Sequence, residues 1–356
     1  MSMVKCRGRI SLFHPWLNLE RMRFNSEAVG LDMKKFSDQG IIRSAFALAA
    51  ANGYHQNRRI RPTIIRAGKT VNRFYLRPLL YAESETIGLG SSFRPRLLLT
   101  LMPFGEYIRH DKRGGIETLL FPQPRTLQLP EIKTASNYQI GIISRKRMEY
   151  FNRLNGEKCA ETLFLNSRGR LVEGSGENIG IIRDNEILSP PPGEGAIPGI
   201  TIRMISILAS RMGMRLRFST IAPADLKSDD CLFLCGNAAG LLPVSSICVA
   251  GSDFNLAGKL EFPSARNTAL RSLMLEYEKM EIGKGEYSEY HADIDEYLGM
   301  KEADDLCSLA RHMLSGKRAG RKIRFQSSNV GQNAQRPLRL VDRFGIEAFY
   351  GAGNDS

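Results

Sequence analysis

Lys133 and Tyr138 are followed by Glu173-Gly174-Ser175-Gly176-Glu177-Asn178 and then by Ile197-Pro198-Gly199-Ile200-Thr201. In chain order these supply a primary amine, a phenol, a carboxylate in a glycine-rich turn and a helix start. An amine can bond a carbonyl carbon and later move a proton. A carboxylate can hold positive charge on a heterocyclic nitrogen. The free amides and macrodipole of a helix start favour a phosphate.

Each piece alone has a plainer reading. Lys133 could be a surface lysine at a helix approach, and Tyr138 a core residue with a wet tip. Glu173 could be solvated in a tight turn, and Thr201 could belong to an ordinary helix cap. Their order and spacing together meet the four demands of pyridoxal phosphate. These are a lysine for the aldehyde, an acid at the pyridine nitrogen, a donor at the ring hydroxyl and amides for the phosphate.

These groups need a scaffold, and 356 residues, 42% hydrophobic and 24% charged, suffice for one large or two medium domains. No apolar stretch approaches the roughly 20 residues of a membrane helix, and the N-terminus lacks a signal-peptide core. A cytoplasmic protein with no membrane partner is expected. The six cysteines form no Cys-x-x-Cys pair, so buried reduced thiols are expected. The five histidines show no ligand spacing, so neither a metal site nor a histidine-based triad is expected. A net charge of +13 suits a phosphorylated cofactor and carboxylate substrates. No nucleic-acid motif accompanies that charge, so no nucleic-acid partner is expected.

Three textures divide the chain. Residues 1–108 read as a small α+β domain, with helical patterns at 17–29 and 38–52 and strand runs at 73–81 and 95–102. Residues 109–130, punctuated by Gly114-Gly115, Pro122, Pro124 and Pro130, read as an interdomain connection. Residues 131–300 read as the larger, cofactor-binding domain. Helices are expected at 137–154, 201–212 and 264–280, and strands at 162–165, 178–182, 214–218, 231–234 and 244–249. Residues 301–356 read as a C-terminal extension, partly disordered beyond about residue 317. Strands and helices without regular βαβ alternation argue an α+β fold.

At this point the chain resembles the class IV aminotransferases, the branched-chain aminotransferase-like family of pyridoxal-phosphate fold type IV. The resemblance spans residues 12–299. It rests on Lys133-Thr-Ala-Ser-Asn137-Tyr138, Glu173-Gly-Ser-Gly-Glu-Asn178, Ile197-Pro-Gly-Ile-Thr201 and Cys235-Gly-Asn-Ala-Ala-Gly-Leu-Leu-Pro-Val244. It implies the two-domain D-amino-acid-aminotransferase-like fold and a homodimer. It also implies that Lys133 bonds the cofactor, Tyr138 meets the ring hydroxyl and Glu173 faces the pyridine nitrogen. Ile200, Thr201, Gly236 and Asn237 would hold the phosphate, with Ala238 giving an amide to the substrate carboxylate.

In the first domain, Tyr75-Leu-Arg77-Pro78 resembles the family strand whose arginine takes a substrate carboxylate, as a planar fork can. Pro103-Phe104-Gly105-Glu106-Tyr107 resembles the aromatic segment of the side-chain pocket. Arg21 matches a phosphate-touching arginine, although a helix arginine equally suits a solvated face. The implied activity is transamination between a branched-chain or hydrophobic amino acid and an α-keto acid such as 2-oxoglutarate. D-amino-acid transaminase and aminodeoxychorismate lyase are the neighbouring alternatives. A truncated non-catalytic paralogue, acting as a binding or assembly subunit, is the alternative from another class.

Departures from the family pattern accompany the match. The small domain is expected to be truncated, since relatives carry strands and a Phe-Glu-Gly segment ahead of the position matching Phe13. Lost strands would leave sheet edges open. Gly180 stands where an aromatic is usual, Asn237 and Ser189 where threonines are, and Ile202 where a basic residue is.

Overall fold

The computed structural model describes residues 1–6, 8–55, 73–88, 93–104, 108, 114–122, 124–125, 129–315, 340–341 and 346–349. The chain forms two compact units, one of Met1–Gly105 with Met280–Ser356 and the other of Glu106–Lys279. The first segment holds β1 (Ser2–Cys6), β2 (Arg9–Phe13), α1 (Pro15–Ala28), α2 (Asp38–Ala51), β3 (Arg73–Glu83) and β4 (Arg94–Pro103). The second unit begins with β5 (Ile116–Leu120), α3 (Tyr138–Asn155), β6 (Glu161–Leu165), β7 (Leu171–Gly174), β8 (Asn178–Arg183) and β9 (Glu186–Ser189). It continues through α4 (Ile200–Arg211), β10 (Arg215–Phe218), β11 (Cys231–Gly236), β12 (Gly240–Ala250), β13 (Leu256–Glu261) and α5 (Thr268–Glu281). The chain then adds β14 (His291–Asp293), α6 (Ile294–Tyr297), α7 (Met300–Ser315), β15 (Leu340–Val341) and β16 (Ile346–Phe349) to the first unit.

In the first unit the strands run β14-β2-β1-β3-β4-β16-β15. Helix α2 starts where Ser37 accepts a hydrogen bond from the Gly40 amide at 3.1 Å, an N-cap that satisfies one orphan donor. Its apolar face, with Phe46, Ala45 and Ala49 fully buried, packs with Met3, Leu12, Phe74, Leu76, Leu97 and Leu99 in one core. Truncating Phe46 to alanine would cost about 3–5 kcal/mol.

Two expectations about this unit are corrected. The second unit ends at Lys279, not near 300, because β14 pairs with β2 in the register His291↔Phe13 and α7 packs against α2. Accordingly Met300–Ser315 is a helix with Ala303 and Cys307 buried, not the beginning of an appended tail. The edge of β4 is also covered: β16 pairs with it in parallel, from Ile346↔Leu97 to Phe349↔Thr100. Residues 316–339, where the polar tail was read, lie outside the described residues.

In the second unit the strands run β10-β9-β8-β11-β12-β5-β6-β7, with β13 on β12. Pairing of Glu173 with Asn178 joins β7 back to β8 and closes the sheet into a barrel. Its apolar residues, Leu120, Leu163, Leu165, Ile179, Ile181, Leu232, Leu234, Leu242 and Val244 among them, form one core. The segment read as a connection therefore contains β5, which lies between β12 and β6. Glycine misled the sequence reading there. Gly115 has φ 78°, and a Cβ would sit 2.8 Å from the Pro243 carbonyl oxygen, so the residue marks close packing.

Gly180 is likewise a packing residue. It lies opposite Phe233 in the β8–β11 register, and the fully buried Phe233 ring fills the volume a Cβ would need. The aromatic expected on β8 is thus matched by one on the neighbouring strand.

Candidate active site

The β7–β8 turn is the frame of the site. Its four residues close with a hydrogen bond from the Gly174 amide to the Glu177 carbonyl at 2.7 Å. Glu173, at the end of β7, is 5% exposed. Its Oε1 accepts from Arg125 Nη1 at 2.8 Å and its Oε2 from the Ile197 amide at 2.8 Å. Asn178 Nδ2 donates to the Ile197 carbonyl at 2.8 Å. Both polar groups of residue 197 are therefore held from the turn, and the chain is delivered three residues later to the start of α4.

Helix α4 begins after Gly199 with no side-chain cap and no acidic residue in its first turn. Its opening amides have no intrahelical acceptors, which suits an anionic oxygen cluster. Buried Thr201 donates from Oγ1 to Asn237 Oδ1 at 3.0 Å. Asn237 lies in the turn between β11 and β12, where Gly236 pairs with Gly240. A Cβ on Gly236 would stand 3.4 Å from the Gly176 carbonyl oxygen, so the two turns lie side by side. Ala238 is partly buried in the same turn.

Lys133 approaches from the segment ahead of α3. Its Nζ hydrogen-bonds the Tyr138 hydroxyl and lies 4.9 Å from the centre of that ring. Asn137 Nδ2 donates to the Ile132 carbonyl at 2.7 Å, which anchors the lysine loop on α3. Helix α3 meets the β7–β8 turn through Gly141, whose Cβ would lie 3.3 Å from Ser175 Cβ. The Lys133 charge acts on both Glu173 and Glu177.

Acid is concentrated here. Glu161, Glu173 and Glu177 are all buried. Glu177 is pushed up to about 8, by burial first and then by the charge of Glu161. Burial likewise raises Glu173, and Arg125 is the largest influence opposing it. Glu161 Oε1 accepts from the Thr162 amide at 2.7 Å, whereas its Oε2 has no hydrogen-bond partner among the described residues. A proton kept on Glu177 relieves that crowding.

The structure thus brings Lys133, Tyr138, Glu173, Ile200, Thr201, Gly236, Asn237 and Ala238 into the second unit. Arg21, Tyr75, Arg77 and Phe104 belong to the first unit. There Tyr75 and Phe104 rings sit 5.2 Å apart, Arg77 is exposed on β3 and Arg21 is partly buried on α1. Tyr107 lies outside the described residues. Sequence reading passed over Arg125, Glu161 and Glu177. Arg125 stands among prolines, and its acid partner is 48 residues away, so neither period nor motif marks it. Away from these residues, Glu117, Cys159 and Cys248 place ligand-type atoms within 4.8 Å of one another. The Lys259 ammonium already stands 3.4 Å from Glu117 and 2.9 Å from Glu157 there.

Comparison with known proteins bears on the same elements. Residues 8–247 match the family model described as amino-transferase class IV. The branched-chain-amino-acid aminotransferase of Escherichia coli (strain K12) is 27% identical over 176 residues, 49% of this chain and 56% of that protein. The chain therefore spans little more than half the length of this curated relative. The branched-chain aminotransferase of Thermoproteus uzoniensis, solved with norvaline, superposes with a TM-score of 0.66 at 22% identity, covering 82% of this chain and 88% of that one. The branched-chain amino acid aminotransferase of Thermobaculum terrenum, solved in its PLP form, gives a TM-score of 0.63 at 17% identity, covering 82% and 87%. At these identities the structural likeness establishes the fold.

Proposed function

This chain belongs to the amino-transferase class IV family, and from that premise we propose that it transfers amino groups with pyridoxal phosphate. The donor in this reading is a branched-chain or other hydrophobic amino acid, and the acceptor an α-keto acid such as 2-oxoglutarate. The observation that carries it is the Lys133 amine, hydrogen-bonded to the Tyr138 phenol, in the same unit as the buried Glu173 carboxylate held by Arg125 and the Ile197 amide.

The donor set fits the cofactor. When bound, the cofactor supplies an aldehyde carbon for amino groups and a ring that accepts electrons. Lys133 would bond that carbon and, when released, hold and move the proton at the substrate Cα. Tyr138 would keep its hydroxyl on the ring oxygen and orient the amine. Glu173 would hold the proton on the pyridine nitrogen, each pKa unit of that preference being worth about 1.4 kcal/mol. The α4 amides of Ile200 and Thr201, with Gly236 and Asn237, would take the phosphate. Arg77 would offer its fork to a substrate carboxylate, with Tyr75 and Phe104, whose rings lie 5.2 Å apart, in the substrate-binding roles the family motifs give them. Arg21, Tyr107 and Ala238 keep the roles that the family motifs give them.

A homodimer and a cytoplasmic location belong to the same reading; among the described residues no helix is long and apolar enough to cross a membrane. Light scattering reads the mass directly. The central test is the absorbance of the purified chain with added pyridoxal phosphate. A visible band lost in Lys133→Ala, with amino-donor turnover, supports the reading. Wild-type protein without the band sinks it.

A further inference from the structure

We propose that Arg125 is a positioning residue for Glu173, fixing both the direction and the charge of the carboxylate that faces the ring nitrogen. The proposal rests on the pyridoxal-phosphate reading above and assigns a residue outside its motifs.

The geometry is a closed loop of hydrogen bonds. Arg125 Nη1 donates to Glu173 Oε1 at 2.8 Å, and Nη2 donates to the Gly195 carbonyl at 2.7 Å. Two residues on, the Ile197 amide returns to Glu173 Oε2 at 2.8 Å. One guanidinium therefore grips both the acid and the strand of backbone that starts the phosphate-binding helix. The arginine is itself fixed at both ends. Its backbone amide donates to the Leu165 carbonyl at 2.7 Å, and its guanidinium carbon lies 5.1 Å from the Phe164 ring centre.

Burial makes this arrangement consequential. The Arg125 and Glu173 side chains are each 5% exposed, so water does little to stabilise either charge. A carboxylate placed there without a cation takes up a proton, and a buried pair deprived of one partner leaves an uncompensated charge. Both Glu173 oxygens accept hydrogen bonds, which is the role of the ionised form, and each retains a lone pair for a further donor. A lysine could supply the charge but not two directed bonds from one plane. Arg125 thus does more than pack. It ties the ionisation of Glu173 to the placement of residues 195–197.

The test compares wild type, Arg125→Met and Arg125→Lys in the full chain. Without cofactor, Arg125→Met should show an additional protonated-carboxyl infrared band at neutral pH, beyond the one that protonated Glu177 gives wild type. Adding Glu173→Gln should remove that additional band. With pyridoxal phosphate bound, the pH midpoint of the visible band should move by at least about one unit in Arg125→Met. Then kcat should fall about tenfold or more with little change in amino-donor KM, the mark of a group acting on the reacting ring. Arg125→Lys should recover most of the pH midpoint but less of kcat. An Arg125→Met protein that only melts earlier, with infrared band, midpoint and kcat unchanged, overturns the proposal and leaves the cofactor reading standing. A wild type that forms no visible band fails the underlying reading instead; the infrared comparison still decides whether Arg125 sets the Glu173 charge.

Discussion

Asn178 donates to the Ile197 carbonyl at 2.8 Å while its Oδ1 fills the space that a side chain on Gly199 would require. The glycine preceding α4 is therefore set by an amide two strands' turn away, not by its own backbone angles, which are extended at φ −75° and ψ 134°. Gly199→Ala must push Asn178 off Ile197 or shift the helix start. The expected cost is about 1–3 kcal/mol in urea unfolding, as for an overpacked core, with faster loss of pyridoxal phosphate on dialysis. A variant matching wild type in both would show that the clamp is slack.

Gly180 and Phe233 form a second matched pair across β8 and β11. Gly180→Ala drives a methyl into the buried ring and should destabilise the second unit by about 1–3 kcal/mol. Phe233→Leu alone opens a cavity. In the double variant the smaller side chain accommodates the new methyl, so its loss should be less than the sum of the two. Urea unfolding of all four proteins reads that coupling.

Glu177 makes stability fall as pH rises. Its folded pKa, about 8, lies above the ordinary value of 4.5, so the folded state binds the extra proton between those limits. Below about 4.5 both states are protonated and the group is silent. Above about 8 the ionised carboxylate stands beside Glu161 in a buried site, and the full penalty is present. Glu177→Gln should remove this slope. Relative to wild type the variant gains stability steadily from pH 5 to pH 8, measured by denaturant unfolding of cofactor-free protein. Parallel pH profiles would contradict the assignment.

The β4 edge tests the contribution of the last strands. Leu97, Leu98, Leu99 and Thr100 pair with residues 346–349, and Leu97 and Leu99 belong to the first unit's core. Ending the chain after Ser315 leaves that backbone edge open, which invites pairing with other chains. Lower thermal stability and concentration-dependent aggregation are expected by calorimetry and light scattering. An unchanged melting profile would mean that β16 contributes nothing to the sheet.

Much of this was legible from local pattern. The helix at 38–51 was readable because apolar period, the Ser37 cap and the Gly53 breaker agree, and that at 200–211 because Gly213 ends its apolar period. The strands β3 and β4 were readable from their aromatic and leucine-rich runs. Strands β5, β7, β9, β13 and β14, of three to six residues, carry too little periodicity to stand out from turns. They exist because long-range ladders hold them, β14 through β2 and β5 through β12.

The same division holds for the chemistry. Residue types in order determined the amine, the phenol, the acid and the helix start, because a motif carries its spacing along the chain. Only the folded barrel decided that Arg125 meets Glu173, that Glu161 crowds Glu177 and that Phe233 replaces a side chain at Gly180. Those are contacts between residues 16 to 53 positions apart. Their energies come from burial and from which strand lies next to which, and no local pattern encodes either.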